Sequence, residues 1–320
     1  FLHMKMNDDG AIRSVHSSGK SEPNGANERG VDTREILLGA HVSIAGGIEK
    51  VLLRGEQLGC NTIQIFTKNA NQWKEKSFRQ AEINLYKDIE ERTGIGPVIA
   101  HNSYLINLAT IGAELYKKSI HAMVHELERC EMLGIRYLVI HPGSHQGSGE
   151  ERGITNIAHA LNEINKMTKG FNVTIAMEMM AGQGTSIGYR LEQIGQIMNR
   201  VEEESRLAFC LDTCHSFAAG YDLRLKADYD TFFRDIDGTV GFEKLKIIHM
   251  NDSKRECGSR VDRHEDIGKG MIGVEPFRWI MNDERLKHIP KIIETPRLKK
   301  STDLANDMLN LSVLRNFVQN

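Results

Sequence analysis

From Leu37 onward, short apolar runs alternate with longer stretches whose apolar residues recur at helical spacing. The runs are LLGAHV, TIQIF, PVIAH, YLVIH, TIAME, AFCLD, LKIIH and KIIET, and they end near His41, Phe66, His101, His141, Glu178, Asp212, His249 and Glu294. Successive ends lie 25 to 45 residues apart, enough for a strand, a helix and two loops. Continuous rather than alternating apolarity suits strands buried on both faces of a parallel sheet. The segment 113–134, AELYKKSIHAMVHELERCEMLG, reads as an amphipathic helix stopped by Gly134.

Eight β-then-α units predict a single-domain (β/α)8 TIM barrel over residues 35–320. A doubly wound open sheet is the rival. It would be announced by a glycine-rich phosphate loop after the first strand, and AHVSIAGG is not one. Residues 1–34 are rich in Gly, Ser, Asn and mixed charge without periodicity, and are expected to form a disordered N-terminal tail.

In a barrel all strand C-termini open into one mouth, where active sites are built. Here the third to eighth runs end in His101, His141, Glu178, Asp212, His249 and Glu294. Burying so many acids and imidazoles together is very costly unless cations compensate, and a mixed His/carboxylate set suits zinc or a similar ion. His215 follows Asp212 by three residues, so the two point differently and can serve different ions. Asp262 and His264, two apart in an extended segment, share a face as a chelating pair. Nine donors exceed one tetrahedral site and suffice for two or three ions if a carboxylate bridges. Such clusters are common machinery for in-line phosphoryl displacement.

Composition narrows the setting. The chain of 320 residues carries 41 Lys+Arg against 43 Asp+Glu, a net charge of −2, and is 40% hydrophobic and 26% charged. That excludes wholesale disorder and a bulk polycation. No run approaches the roughly 20 apolar residues of a membrane span. Five cysteines without a C-x-x-C read as reduced thiols, so an intracellular, cytoplasmic setting is expected, or a nuclear one in a eukaryotic source. Cys214, beside His215, reads as a buried inert thiol.

The strings AHVSIAGG (40–47), FTKNANQW (66–73), HNSYLINL (101–108), HPGSH (141–145), E-x-x-AGQG (178–184), LDTCHSFAAGYD (211–222), HMNDSK (249–254), GSRVDRHEDIGKG (258–270) and ETP (294–296) resemble the endonuclease IV family, zinc-dependent apurinic/apyrimidinic endonucleases. The resemblance implies three zinc ions: one on His101, His141 and Glu178; a second sharing Glu178 and adding Asp212, His249 and Glu294; a third on His215, Asp262 and His264. It implies hydrolysis of the phosphodiester 5′ to an abasic site in duplex DNA by a metal-hydroxide mechanism. The products would be a 3′-hydroxyl and a 5′-deoxyribose phosphate, and 3′-blocking groups would also be removed. Glu178 and Glu294 would be catalytic, with Glu294 orienting or deprotonating the water, and His41 would support the ligands from behind. Tyr104 would fill the lesion, and Lys68, Asn71 and Arg260 would contact DNA. Asn71 stands where the family commonly places an inserting arginine, a departure that removes a guanidinium able to stack and span.

No obligatory protein partner is implied, and a monomer is expected. The rival readings are a divalent-metal-dependent sugar isomerase on the same barrel, and an inactive barrel that only binds damaged DNA. The pairs Asp212/His215 and Asp262/His264 argue against the first, and the intact nine-donor set against the second.

Overall fold

The computed structural model describes residues 36–73, 76–296 and 304–319; the segment 1–34, expected to be a disordered tail, lies outside them. Eight parallel strands close into a barrel: β1 (Leu38–Val42), β2 (Ile63–Phe66), β3 (Val98–His101), β4 (Tyr137–Ile140), β5 (Thr174–Glu178), β6 (Leu207–Asp212), β7 (Leu245–His249) and β8 (Lys291–Ile293). Each strand pairs with its chain neighbours, and β1 closes the ring against β8. The eight apolar runs supply these strands, and the closed ring excludes the open-sheet rival. Gly39 permits the β1–β2 approach, since a Cβ there would lie 1.7 Å from the Thr62 carbonyl oxygen.

Among the described residues nine helices surround the ring: α1 (Glu49–Gln57), α2 (Gln80–Thr93), α3 (Ala113–Leu133), α4 (Glu150–Met167), α5 (Leu191–Met198), α6 (Thr213–Ala219), α7 (Lys226–Thr239), α8 (Glu275–Asn282) and α9 (Ala305–Arg315). The predicted helix at 113–134 is α3, and its stop is Gly134 in the left-handed region at φ 71°. No helix of the described residues is long and apolar enough to cross a membrane.

Side chains of a strand alternate sides, so the barrel interior is built in layers. One inward layer is a small apolar plug that includes Ile99, Val139, Ala176, Cys210, Ile247 and Ile292. The position two residues further along each strand is His101, His141, Glu178, Asp212, His249 or Glu294. Strand periodicity thus lifts six donors out of the plug and into the mouth together. The larger core packs the outward strand residues against the helices, with Ile63, Ile65, Leu138, Ile175 and Phe209 fully buried.

Candidate metal centre

Glu178 lies at the centre of the mouth, fully buried, with its two oxygens facing different neighbours. Oε2 is 3.1 Å from His101 Nε2 and 3.2 Å from His141 Nε2. Oε1 is 3.1 Å from His249 Nδ1 and 3.1 Å from His215 Nδ1. His249 Nδ1 also faces Glu294 Oε2 at 3.3 Å and Asp212 Oδ2 at 3.7 Å. Beside this group, His215 Nε2 lies 3.3 Å from Asp262 Oδ2, and His264 Nε2 lies 3.4 Å from Asp262 Oδ1. Three donor groups result, each with its ligand atoms within 4.8 Å of one another: His101, His141 and Glu178; Glu178, Asp212, His249 and Glu294; His215, Asp262 and His264.

Local structure fixes these positions. Asp212 caps α6, its Oδ1 accepting from the His215 N–H at 2.7 Å, so the same turn presents both residues at different angles. A two-residue antiparallel ribbon pairs Asp252–Ser253 with His264–Glu265 and carries the Asp262–His264 segment over the mouth. Asp252 anchors the following loop by accepting from the N–H groups of Gly268, Gly270 and Ile272, each at 3.0 Å.

Hydrogen bonds to backbone carbonyls settle the tautomers of three histidines. Nδ1 donates to the Asn102 carbonyl in His101 (2.9 Å), the Met179 carbonyl in His215 (2.9 Å) and the Glu294 carbonyl in His264 (3.0 Å). Nε2 of each is then a lone pair aimed into the mouth. For His215 and His264 that nitrogen is buried and makes no hydrogen bond, although a carboxylate oxygen of Asp262 faces it. Opposite a carboxylate oxygen, such a nitrogen is accommodated by a proton or by a metal cation, so the donor set fits a divalent ion.

The charge balance points the same way. Burial opposes ionisation of Glu178, but His249, His141 and His101 hold its carboxyl well below the ordinary range. Burial also opposes ionisation of Glu294, where His249 and His41 bring the pKa down. Asp262 is lowered to about 2 by His215 and His264, against its own desolvation. Desolvation would make His101 and His215 neutral, but the surrounding carboxylates push both up. Cys210 adds no charge beside His249, because burial raises its thiol to about 12.

Cys214 lies with Asp212 and His264 in a fourth possible group. Burial raises it to about 12, with Asp212 adding to the shift, and its Sγ contacts the Arg263 carbonyl at 3.6 Å, so it stays a protonated thiol.

The mouth brings together all nine expected ligands. Tyr104 stands at its rim, 59% exposed, with its ring 5.8 Å from that of His101 and 5.7 Å from that of His141. Asn71 is exposed on the loop after β2. Arg260 is exposed too, its guanidinium 4.6 Å from the Tyr189 ring and its backbone in the left-handed region at φ 54°. His41 Nδ1 lies 3.2 Å from Glu294 Oε1, behind the ligands.

Lys68 is not available to a phosphate. Its ammonium is buried, 3.0 Å from Glu126 Oε1 of α3, and donates to the Gln72 carbonyl at 2.7 Å. Glu126 Oε2 also accepts from Thr67 Oγ1 at 2.6 Å, so Lys68 pins the 67–72 loop to α3.

Three residues absent from the expected set hold the ligands. Asn251 donates to Asp212 Oδ2 (2.7 Å) and accepts from the Glu294 N–H (2.7 Å). Gln183 accepts from the Asp262 N–H (3.0 Å). Gln64 reaches His249 and Glu294 from inside the barrel.

A closed parallel barrel with this mouth defines a class of protein, and residues 53–315 match the family model described as xylose isomerase-like TIM barrel. Within it, the chain is 48% identical to a probable endonuclease 4 of Chloroflexus aurantiacus, covering 88% of this chain and 98% of the relative. It is 46% identical to a probable endonuclease 4 of Geobacter sulfurreducens, covering 88% and 94%. The crystal structure of endonuclease IV from Thermus thermophilus superposes with TM-score 0.76 at 33% identity, covering 88% of this chain and 98% of that one. The chain belongs to the endonuclease IV family. A D-tagatose 3-epimerase-like protein superposes with TM-score 0.66 at 15% identity, a likeness of fold alone.

Proposed function

We propose that this protein is a metal-dependent DNA-repair endonuclease that hydrolyses the phosphodiester 5′ to abasic sites in duplex DNA, leaving a 3′-hydroxyl and a 5′-deoxyribose phosphate. It removes 3′-blocking groups by the same chemistry. The observation that carries the reading is the double-facing carboxylate of Glu178, which one donor group shares with the next. Similarity to proteins named endonuclease 4 and endonuclease IV supports the substrate class.

Three zinc ions on the three donor groups would acidify a water toward pKa about 7 and neutralise charge on the phosphate. His101, His141 and Glu178 would hold one ion, Glu178, Asp212, His249 and Glu294 a second, and His215, Asp262 and His264 the third. Glu294 orients the attacking water or takes its proton. Tyr104 fills the space left by the missing base, and Asn71 and Arg260 line the path of the duplex, mainly positioning it.

Incision of a labelled duplex carrying one tetrahydrofuran abasic analogue, against the same undamaged duplex, tests the reading. The analogue cannot undergo β-elimination, so a nick on its 5′ side requires hydrolysis. Cleavage of the lesion strand alone, lost on chelation and restored by zinc, is expected. Absence of cleavage by fully zinc-loaded protein would refute the reading.

A further inference from the structure

Gln64 is fully buried in β2, inside the barrel, in register with Ile99 of the apolar plug. A primary amide in such a place is costly unless its hydrogen bonds are made. All of Gln64's are made toward the mouth. Its Oε1 is 2.8 Å from His249 Nε2, and its Nε2 is 2.6 Å from Glu294 Oε1 and 3.0 Å from His41 Nδ1. The amide cannot be turned round, because its oxygen would then oppose the Glu294 carboxylate at that same short distance.

From this geometry we infer that Gln64 is a positioning residue which makes His249 an Nδ1 ligand and assigns the two oxygens of Glu294 to different tasks. The inference rests on the proposed three-ion centre. The fixed amide oxygen requires a proton on His249 Nε2. The lone pair of the neutral ring is therefore on Nδ1, facing Glu178 Oε1 (3.1 Å), Glu294 Oε2 (3.3 Å) and Asp212 Oδ2 (3.7 Å). His101, His215 and His264 have the opposite arrangement, with Nδ1 tied to a carbonyl and Nε2 facing the centre. Gln64 donates to Glu294 Oε1, so the oxygen that faces His249 Nδ1 and the proposed ion is Oε2.

Two measurements on the full chain test this. In the zinc-loaded protein labelled with 15N at histidine, long-range ring correlations should show His249 protonated at Nε2 and metallated at Nδ1, its signals assigned by their loss in His249→Asn. In Gln64→Met, which keeps the volume but not the amide, chelator competition should release one ion of three about 10–100-fold more readily, the usual weight of a ligand's hydrogen-bond partner. Metallation of His249 at Nε2, or three ions held as tightly in folded Gln64→Met as in wild type, would overturn the inference while leaving the three-ion centre standing. A wild-type chain that binds no zinc would overturn both. The spectrum needs no variant that retains the site, so a misfolded Gln64→Met leaves the ring assignment decisive.

Discussion

Glu178 is shared between two donor groups, so its substitution should do more than the loss of an ordinary ligand. Gln at this position keeps the shape, and the apolar plug beneath it is untouched. Glu178→Gln is expected to retain the far-ultraviolet circular dichroism of the wild type and to lose bound zinc. Incision should fall by more than about a hundredfold, the upper end of what removing a mere outer partner does. Wild-type turnover with a full metal complement would remove the bridge from the account. Donors such as His101 and Glu178 were legible because a strand end in a barrel has a known address, and a charged residue there needs a reason. Gln64 was not, because one polar residue in TIQIF shows its direction only through the pairing with Ile99. Lys68 misled for a related cause. Its partner Glu126 lies on α3, and nothing in TKNANQW reveals that the side chain turns inward.

All eight strands were legible as apolar runs, with His141 and Glu294 falling one residue beyond theirs. The two-residue ribbons, Gly143–Ser144 with Ser186–Ile187 and Asp252–Ser253 with His264–Glu265, were not, because so short a pairing leaves no period to read. The element β8 carries a further consequence at its opposite end. Lys291 opens the strand fully buried, its Nζ donating to the carbonyls of Leu286 (2.6 Å) and Ile289 (3.1 Å). Burial, partly offset by Asp283, brings its pKa down to about 7. An unfolded lysine titrates near 10.4, roughly, so between about pH 7 and 10 the unfolded chain holds one more proton than the native one. This group's contribution to stability therefore rises with pH across that window and is flat below it, with a slope of at most about 1.4 kcal/mol per pH unit. Urea unfolding at pH 7.5 and 9.5 should show the wild type gaining stability relative to Lys291→Met. An unchanged difference between the two would place the lysine charge in the native barrel.

At the scale of the whole molecule the question is how a chain of net charge −2 engages a polyanion. Three Zn²⁺ would bring the total from −2 to +4, all of the gain concentrated at the mouth where the strand ends converge. Such a metal centre would supply the attractive field as well as the chemistry, and the loop arginines would need only to set register. The consequence can be separated from catalysis by using undamaged duplex, which offers no abasic site to cut. Zinc-loaded protein should bind it more tightly than chelator-stripped protein at 50 mM salt. The gap should close as salt rises toward several hundred millimolar, because the Debye length shrinks from about 10 Å at 0.1 M toward about 3 Å at 1 M. Fluorescence anisotropy across a salt series, with circular dichroism to confirm that stripped barrels remain folded, reads both arms. A gap that persists undiminished at high salt would mean that the ions act through direct ligation or loop order. Equal affinities at low salt would mean that the positive field comes from the arginine loops alone.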